Sequence, residues 1–434
     1  MVALLALGNH EWLGLHMRDP GVSGPNATVQ KQFGLINLLK AGAAQLIVLH
    51  HLAFYGPMAD AARPLMPSII DWLDQNGRIS VQAFLVISCF LVAKSLSPAG
   101  LPGIGNPLGT IWRRYVKLTP PFIVAMFLAI GASALARTWM VHDSISAPPH
   151  LSQLAAHLLL LHSVLGYESL SAGAWYVAID FQLYALVTCL LWLGGRIAGN
   201  RLTTWLMPLV VTLGVSISLL YFNRDAEFDV WAPYFFGSYG LGILAWWASD
   251  PRRPFGATLA LLMMMAMPAV LALALDFRTR IAVASVVACV LFLFGRTRLG
   301  TYAGAGWTVV NYVGKISYSI FLVHFPVCLV VNAAFTRFVP DDAYLQGVGV
   351  LYAWAASVAA GAVFFHWVEA PLSRLLMMRA KPAAMYSTRA ASLYRRSIGS
   401  EYCEKNNIGC IICLTRKIVM NQNRTSSLRS THFS

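Results

Sequence analysis

Lys40 and His51 lie within one apolar stretch, Phe33 to Tyr55, where two ionisable side chains are out of place unless they have work to do. Eleven residues along an α-helix make about three turns with ~20° of net rotation, so the two share a face at depths ~16 Å apart. Holding a charge at membrane depth costs at least ~2.5 kcal/mol, which makes an intramembrane ionisable residue a functional candidate by default. A cation toward one membrane surface and an imidazole toward the other can bind an anionic group at one end and move a proton at the other. A snorkelling lysine and a helix-paired histidine are the alternative reading of the same two residues.

Three more cations follow in Trp112-Arg113-Arg114-Tyr115-Val116-Lys117, ahead of Thr119-Pro120-Pro121. Proline suits a helix start, because its missing amide is not needed there. The expectation is a loop whose cations and terminal amides favour phosphate; an ordinary basic membrane anchor is the competing reading. With Lys40 a couple of turns above the same surface, a phosphate-bearing ligand could send an arm up the helix face toward His51, which describes acyl-coenzyme A better than a free nucleotide. Asp180, in Gly173-Ala174-Trp175-Tyr176-Val177-Ala178-Ile179-Asp180, is expected about two turns inside the opposite boundary, level with His51. A carboxylate there orients the ring and fixes its proton, as a general base requires; neutralising a buried Lys or Arg is the other possibility. Val313-Gly314-Lys315-Ile316-Ser317-Tyr318 leads, before Pro326, to a further intramembrane histidine, His324, which either makes a structural hydrogen bond or lines the same cavity. Trp175, Tyr184, Ser317 and His324 are candidate cavity-lining residues.

The elements that position these groups are set by composition. Over 434 residues, 57% are hydrophobic and 12% charged, too apolar for ordinary soluble domains. The class is all-α: a polytopic membrane helical bundle. Runs near the ~20 residues needed to cross are read at 33–55, 79–97, 118–138, 174–195, 202–222, 230–248, 255–276, 281–295, 310–335 and 346–368, about ten transmembrane helices. The shorter run 151–167 holds His157 and His162. If it does not cross, Arg113, Arg114, Lys117, Arg196, Arg201, Arg252, Arg253, Arg296, Arg298 and the basic tail share one side, and Asp60, Asp71, Asp74, Asp143, Asp225, Glu227, Asp229, Asp341 and Asp342 the other. Charge bias therefore makes 151–167 an outer-face or re-entrant helix and both termini cytoplasmic, with Arg278 and Arg280 as exceptions.

The formal net charge is +14, yet residues 372–434 hold eleven Lys or Arg against two Glu, so the excess belongs mainly to the tail. Such a tail contacts anionic lipid headgroups rather than nucleic acid. Domain organisation reads as an N-terminal extension (1–32) without a convincing signal peptide, a membrane domain (33–372) and a disordered basic cytoplasmic tail (373–434). Cys403, Cys410 and Cys413 cluster in that tail without a full zinc ligand set, although His432 is a distant candidate; no metal site is expected. Cys89, Cys189, Cys289 and Cys328 fall in separate helices, and no disulfide framework is indicated.

These residues, over most of 33–372, resemble the acyltransferase 3 family of membrane enzymes that modify carbohydrates. The family's basic residue, ten residues and a histidine match Lys40 to His51. Its basic pair before a proline matches Arg113, Arg114 and Pro120. Its tryptophan five residues before an acid matches Trp175 and Asp180, followed by Tyr184. Its glycine, serine-tyrosine and histidine run matches Gly314, Ser317, Tyr318 and His324, and its late glutamate and proline match Glu369 and Pro371. Lys40 and Lys117 replace arginine, losing the planar fork that grips phosphate. Asp180 replaces glutamate, and Cys89 stands after Ser88 where the family has a serine-glycine pair. The resemblance implies an O-acyltransferase using acyl-CoA, acetyl-CoA in the simplest case, with a carbohydrate or glycan hydroxyl as acceptor at the outer side of a bacterial inner (plasma) membrane. It implies His51 and Asp180 as catalytic residues and Lys40, Arg113, Arg114 and Lys117 as donor-binding. A secondary transporter of a small polar or anionic solute is the rival, but it predicts two related halves, and no internal repeat is visible.

Overall fold

The computed structural model describes residues 34–98, 100, 103–197, 200–296 and 305–379. Every regular element among them is helical. Hydrocarbon offers no partner for a peptide N–H or C=O, so a chain this apolar satisfies its backbone within helices. The extension 1–32 and the tail cysteines lie outside the described residues. Contacts divide the chain into residues 1–373 and 374–434; of the second unit only residues to Arg379 are described.

Helix α1 (Gly34–Phe54) carries Lys40 and His51 on one unbroken helix. Two short helices follow, α2 (Pro57–Ala62) and α3 (Pro67–Asn76), each opening on a proline. Arg63 ties them by pairing with Asp60 at 3.0 Å and with Asp71. Helix α4 (Ser80–Leu96) returns through the bundle, and α5 (Pro107–Trp139) crosses it again over 33 residues. The start of α5 corrects the sequence expectation. Asn106 caps it by accepting from the Gly109 amide at 2.9 Å, so Pro120 and Pro121 lie inside the helix and the Arg113–Lys117 cluster sits on the helix rather than before it. Interior proline survives at membrane depth where neighbours satisfy what it leaves unpaired.

The run 151–167 is no span. Only α6 (Leu151–Leu158) is regular, and the chain beyond it is pinned within the bundle. The Leu158 carbonyl accepts from Tyr115 Oη of α5 at 2.7 Å, and the Leu160 carbonyl from Gln182 at 2.9 Å. Since Tyr115 lies in the first third of α5, the segment enters from the far end of that helix and turns back, as a re-entrant element does. His157 holds the turn: Nδ1–H donates to the Gln153 carbonyl at 2.8 Å, and Nε2 accepts from the Leu170 amide at 3.1 Å. His162 stacks on it with ring centres 3.9 Å apart.

Helix α7 (Ala174–Ile197) starts where the re-entrant segment ends, and α8 (Asn200–Leu220), α9 (Ala232–Ala248), α10 (Phe255–Leu275) and α11 (Thr279–Phe294) complete the middle of the chain. Helix α9 is enclosed by protein on all sides and packs backbone to backbone on α4; a Cβ on Gly242 would fall 2.3 Å from the Val86 carbonyl oxygen. The run expected as one span at 310–335 is broken at Ile316 into α12 (Ala305–Lys315) and α13 (Ser317–Phe338). Helix α14 (Ala343–Phe364) ends in a π-helical turn, Phe365–Glu369, that leads into α15 (Ala370–Arg379). Among the described residues, eight helical stretches are long and apolar enough to cross a membrane, α3 and α4 counting as one stretch, Pro67–Leu96; α9 and α11, with 17 and 16 residues, fall just short by length or composition. Arg278, an exception to the charge bias, is tied down by Asp276 at 2.7 Å and by the Asn223 and Arg224 carbonyls.

Two consequences can be measured. A Cβ on Gly314 would lie 2.3 Å from the Asn37 carbonyl oxygen, whereas one on Gly42 meets nothing within 4 Å. Gly314→Val should therefore lose most folded protein in detergent size-exclusion profiles, while Gly42→Ala should match the parent or exceed its stability by ~0.5–1 kcal/mol. Burial holds His162 down to about 3 and keeps His157 below its ordinary value. Protonation thus favours the opened segment, with stability full above ~6.5 and declining as pH falls toward 3. Hydrogen-exchange protection factors across residues 157–170 should drop over that window, and a flat profile would contradict the assignment.

Candidate active site

His51 occupies the last turn of α1 and is 6% exposed; His324 lies on α13 and is fully buried. His324 Nδ1 is 3.2 Å from the Ile320 carbonyl oxygen, which can only accept, so Nδ1 carries the proton and Nε2 of the neutral ring is a lone pair. That lone pair stands 2.6 Å from His51 Nδ1. His51 must therefore donate from Nδ1, leaving its Nε2 unprotonated. This Nε2 makes no hydrogen bond to a described residue and is not among the sealed, unpartnered atoms of the bundle. One backbone carbonyl thus sets, through two imidazoles, which nitrogen of His51 keeps its lone pair. The neighbouring His50 donates to the Leu73 carbonyl at 2.8 Å, holding α3 over this end of α1, and the Tyr55 ring lies 5.2 Å from that of His51.

Asp180 is not beside His51. Its carboxylate, 4% exposed, accepts from Arg114 at 2.7 Å and from Ser88 Oγ at 2.5 Å. The depth assigned from sequence assumed that α7 begins at the membrane boundary. The re-entrant segment instead delivers α7 into the bundle interior, where Gly173 lies against Phe321; Asp180 is seven residues, ~10 Å, further toward the Lys40 end. The Arg114 guanidinium lies 5.2 Å over the Tyr184 ring. Its Nε and the Tyr239 hydroxyl are enclosed without partners, and Tyr176, Tyr239 and Tyr318 all lie within range of the pair's charges. Ser317 is buried at the start of α13. Tyr318 Oη donates to the Leu118 carbonyl at 3.0 Å, beside the two prolines of α5.

Toward the other end, Glu369 accepts from Ser319 Oγ at 2.5 Å, and Lys40, Lys117 and Lys315 all act electrostatically on its carboxylate. Of the four cations expected to form one phosphate site, Lys40 and Lys117 converge, Arg114 is drawn into the pair with Asp180, and Arg113 faces outward, donating to Thr110 Oγ1 at 3.1 Å. Adjacent helix positions point ~100° apart, which sends the two arginines to different hydrogen-bond partners. Lys315 was not foreseen in this group, although it stands in the same run as Ser317 and His324. Phe84, Tyr176 and Phe321, with ring centres 5.1–6.1 Å apart, form an aromatic wall that reaches His324 through Phe321. Trp175 lies near it, its ring covered by the Arg78 guanidinium at 4.9 Å. Among the described residues no cluster of His, Cys, Asp or Glu could hold a metal ion.

An imidazole pair, a buried ion pair and a lysine cluster are thus arranged along one bundle. A family model described as an acyltransferase domain matches residues 34–368. No curated protein and no solved structure matches the chain. The matched region holds His51, His324, Arg114, Asp180 and Lys40 alike, and the chain is an integral membrane acyltransferase that belongs to the acyltransferase 3 family.

Proposed function

We propose that the protein moves an acyl group, acetyl in the simplest case, from cytoplasmic acyl-CoA to a carbohydrate hydroxyl at the outer side of a bacterial inner membrane. The observation that carries this reading is the fixed tautomer of His51, because a base needs a free lone pair and Nε2 keeps one. In the proposed step the acceptor O–H gives its proton to His51 Nε2 as its oxygen attacks the thioester carbonyl. The C–S bond then breaks, and the proton on His51 passes to the departing thiolate, giving ester and free CoA thiol. The imidazolium formed in between keeps its Nδ1–H on the lone pair of His324.

Lys40, Lys117 and Lys315 offer the donor phosphates three cations, with Glu369 as their resting counter-charge. Asp180 has a different task from the one its spacing suggested: it holds Arg114 in the wall between the lysines and His51. Both termini are read as cytoplasmic, since the lysine cluster and the strongly basic tail then lie on the side where CoA is available.

His51→Gln should lower transfer by ~10²-fold or more while the protein stays folded in the membrane. His324→Leu, which removes the acceptor for His51 Nδ1–H, should cut kcat about tenfold or more, and His324→Gln should restore part of it. Equal activity of the Leu and Gln variants would deny His324 its role in orienting the base. Lys40→Ala and Lys117→Ala should raise KM for acyl-CoA about tenfold, weakening further with salt, and should affect the corresponding acyl-pantetheine much less. An equal effect on both donors would remove the phosphate assignment.

A further inference from the structure

Above His51 stands a group of side chains that acyl transfer itself leaves unused. Arg78 lies in the short turn Gly77–Ile79 that leads into α4, with its guanidinium held 4.9 Å over the Trp175 ring. Its nearest carboxylate, Asp229, is 3.7 Å away, and both side chains are well exposed, 57% and 37%. No Arg78 donor makes a hydrogen bond to a described residue, and the guanidinium is positioned by the Trp175 ring. Gly77, its neighbour in the chain, packs on α1, where a Cβ would fall 2.5 Å from the His50 Cβ, and the Trp175 ring lies 5.5 Å from that of Phe235, next to Tyr234 on α9.

Tyr234 supplies a second, independent sign. It is 1% exposed, its hydroxyl is enclosed without a partner, and Arg280 lies 5.2 Å over its ring. A buried hydroxyl is left unpaired at a cost that a bound ligand removes. A long, exposed ion pair such as Arg78–Asp229 adds little to stability, so it exchanges readily for a better anion. The planar guanidinium fork matches a carboxylate with two parallel hydrogen bonds.

We propose that Arg78, backed by Trp175 and assisted by the Tyr234 hydroxyl, is a specificity-determining residue that selects an anionic saccharide acceptor, one bearing a carboxylate close to the hydroxyl that is acylated. This rests on the reading of His51 as the base at the acceptor end. Asp229 serves as the resting counter-ion, displaced when the sugar carboxylate arrives. Arg78 acts on binding and orientation of the acceptor; it takes no part in the proton transfer.

The test uses the full chain in lipid nanodiscs with acetyl-CoA and two acceptors, methyl glucuronide and methyl glucoside, which differ by a carboxylate in place of a hydroxymethyl group. The readout is the ratio of their kcat/KM values. The parent should prefer the glucuronide about tenfold or more; Arg78→Gln should bring the ratio near one, Arg78→Lys should keep part of the preference, and Tyr234→Phe should lower it. A parent that shows no such preference or acylates neither sugar, or an Arg78→Gln variant with an unchanged ratio, overturns the proposal. Since the ratio compares two acceptors on one enzyme, it is independent of who the base is. His51→Gln that still transferred would sink the base assignment and leave the Arg78 result to stand on its own.

Discussion

A guanidinium surrounded by hydrocarbon needs a carboxylate, and the Arg114–Asp180 pair meets that need where α4, α5 and α7 come together. Burying two charges is costly even when they are paired, and removing one partner leaves the other uncompensated, at ~3–5 kcal/mol. The pair therefore constrains its surroundings more than it stabilises them. Asp180 has to lie at the depth of Arg114, so α7 has to begin inside the bundle, and the re-entrant segment has to carry the chain there. Ser88 Oγ fills the remaining acceptor position on the carboxylate and fixes the rotation of α4. The bend through Leu158 and Leu160, which in isolation looks like an irregular loop, is a consequence of this pairing.

The same economy governs the histidines. A neutral imidazole has one donor and one acceptor, and its orientation is undefined until something fixes one of them. On α13 the Ile320 carbonyl, one turn before His324, does so, and the definition passes across the helix interface to His51. A carboxylate in that place would bring a second buried charge to a bundle already holding one ion pair. Two imidazoles leave His51 a directed lone pair without net charge in the resting state, and the polar contact joins α1 to α13.

What could be read from the sequence divides along physical lines. Lys40 and His51 were legible because they share one helix, whose period fixes both their common face and their separation. The helices themselves were legible because membrane thickness sets their length. Asp180 was misplaced because its depth depends on where a non-helical segment turns, which no periodicity records. Pro120 and Pro121 suggested a helix start by the rules of soluble proteins, but α5 runs through them, so the cations beside them lost their place at a helix terminus. Arg113 and Arg114 are neighbours in sequence but take different hydrogen-bond partners, Thr110 and Asp180, since successive helix positions turn by ~100°. The convergence of Lys315 and Glu369 on Lys40 depends on the break at Ile316 and the π-turn at Phe365–Glu369, two departures from regular helix that leave no mark in hydropathy. Arg78 carried no signal at all, since its value comes from Trp175 and Tyr234, distant in sequence.

On the proposed reading, the distribution of charge along the bundle bears on how a donor confined to one compartment would serve an acceptor in another. The lysines around Glu369 leave a net positive end, Arg114 is cancelled by Asp180 in the middle, and the region between them and His324 is walled by Phe84, Tyr176 and Phe321. Phosphates find their counter-charges only at the lysine end, and a middle without net charge gives them no reason to go further. A neutral arm with a few amides meets no such barrier: tyrosine hydroxyls and the spare donor on Arg114 can satisfy it, and the aromatic wall can shelter the rest. On the proposed reading, what crosses toward His51 is therefore the thioester alone. On that reading the bundle would separate a charged anchor from a neutral reacting group, and that separation would let the acyl group cross without transport of the donor.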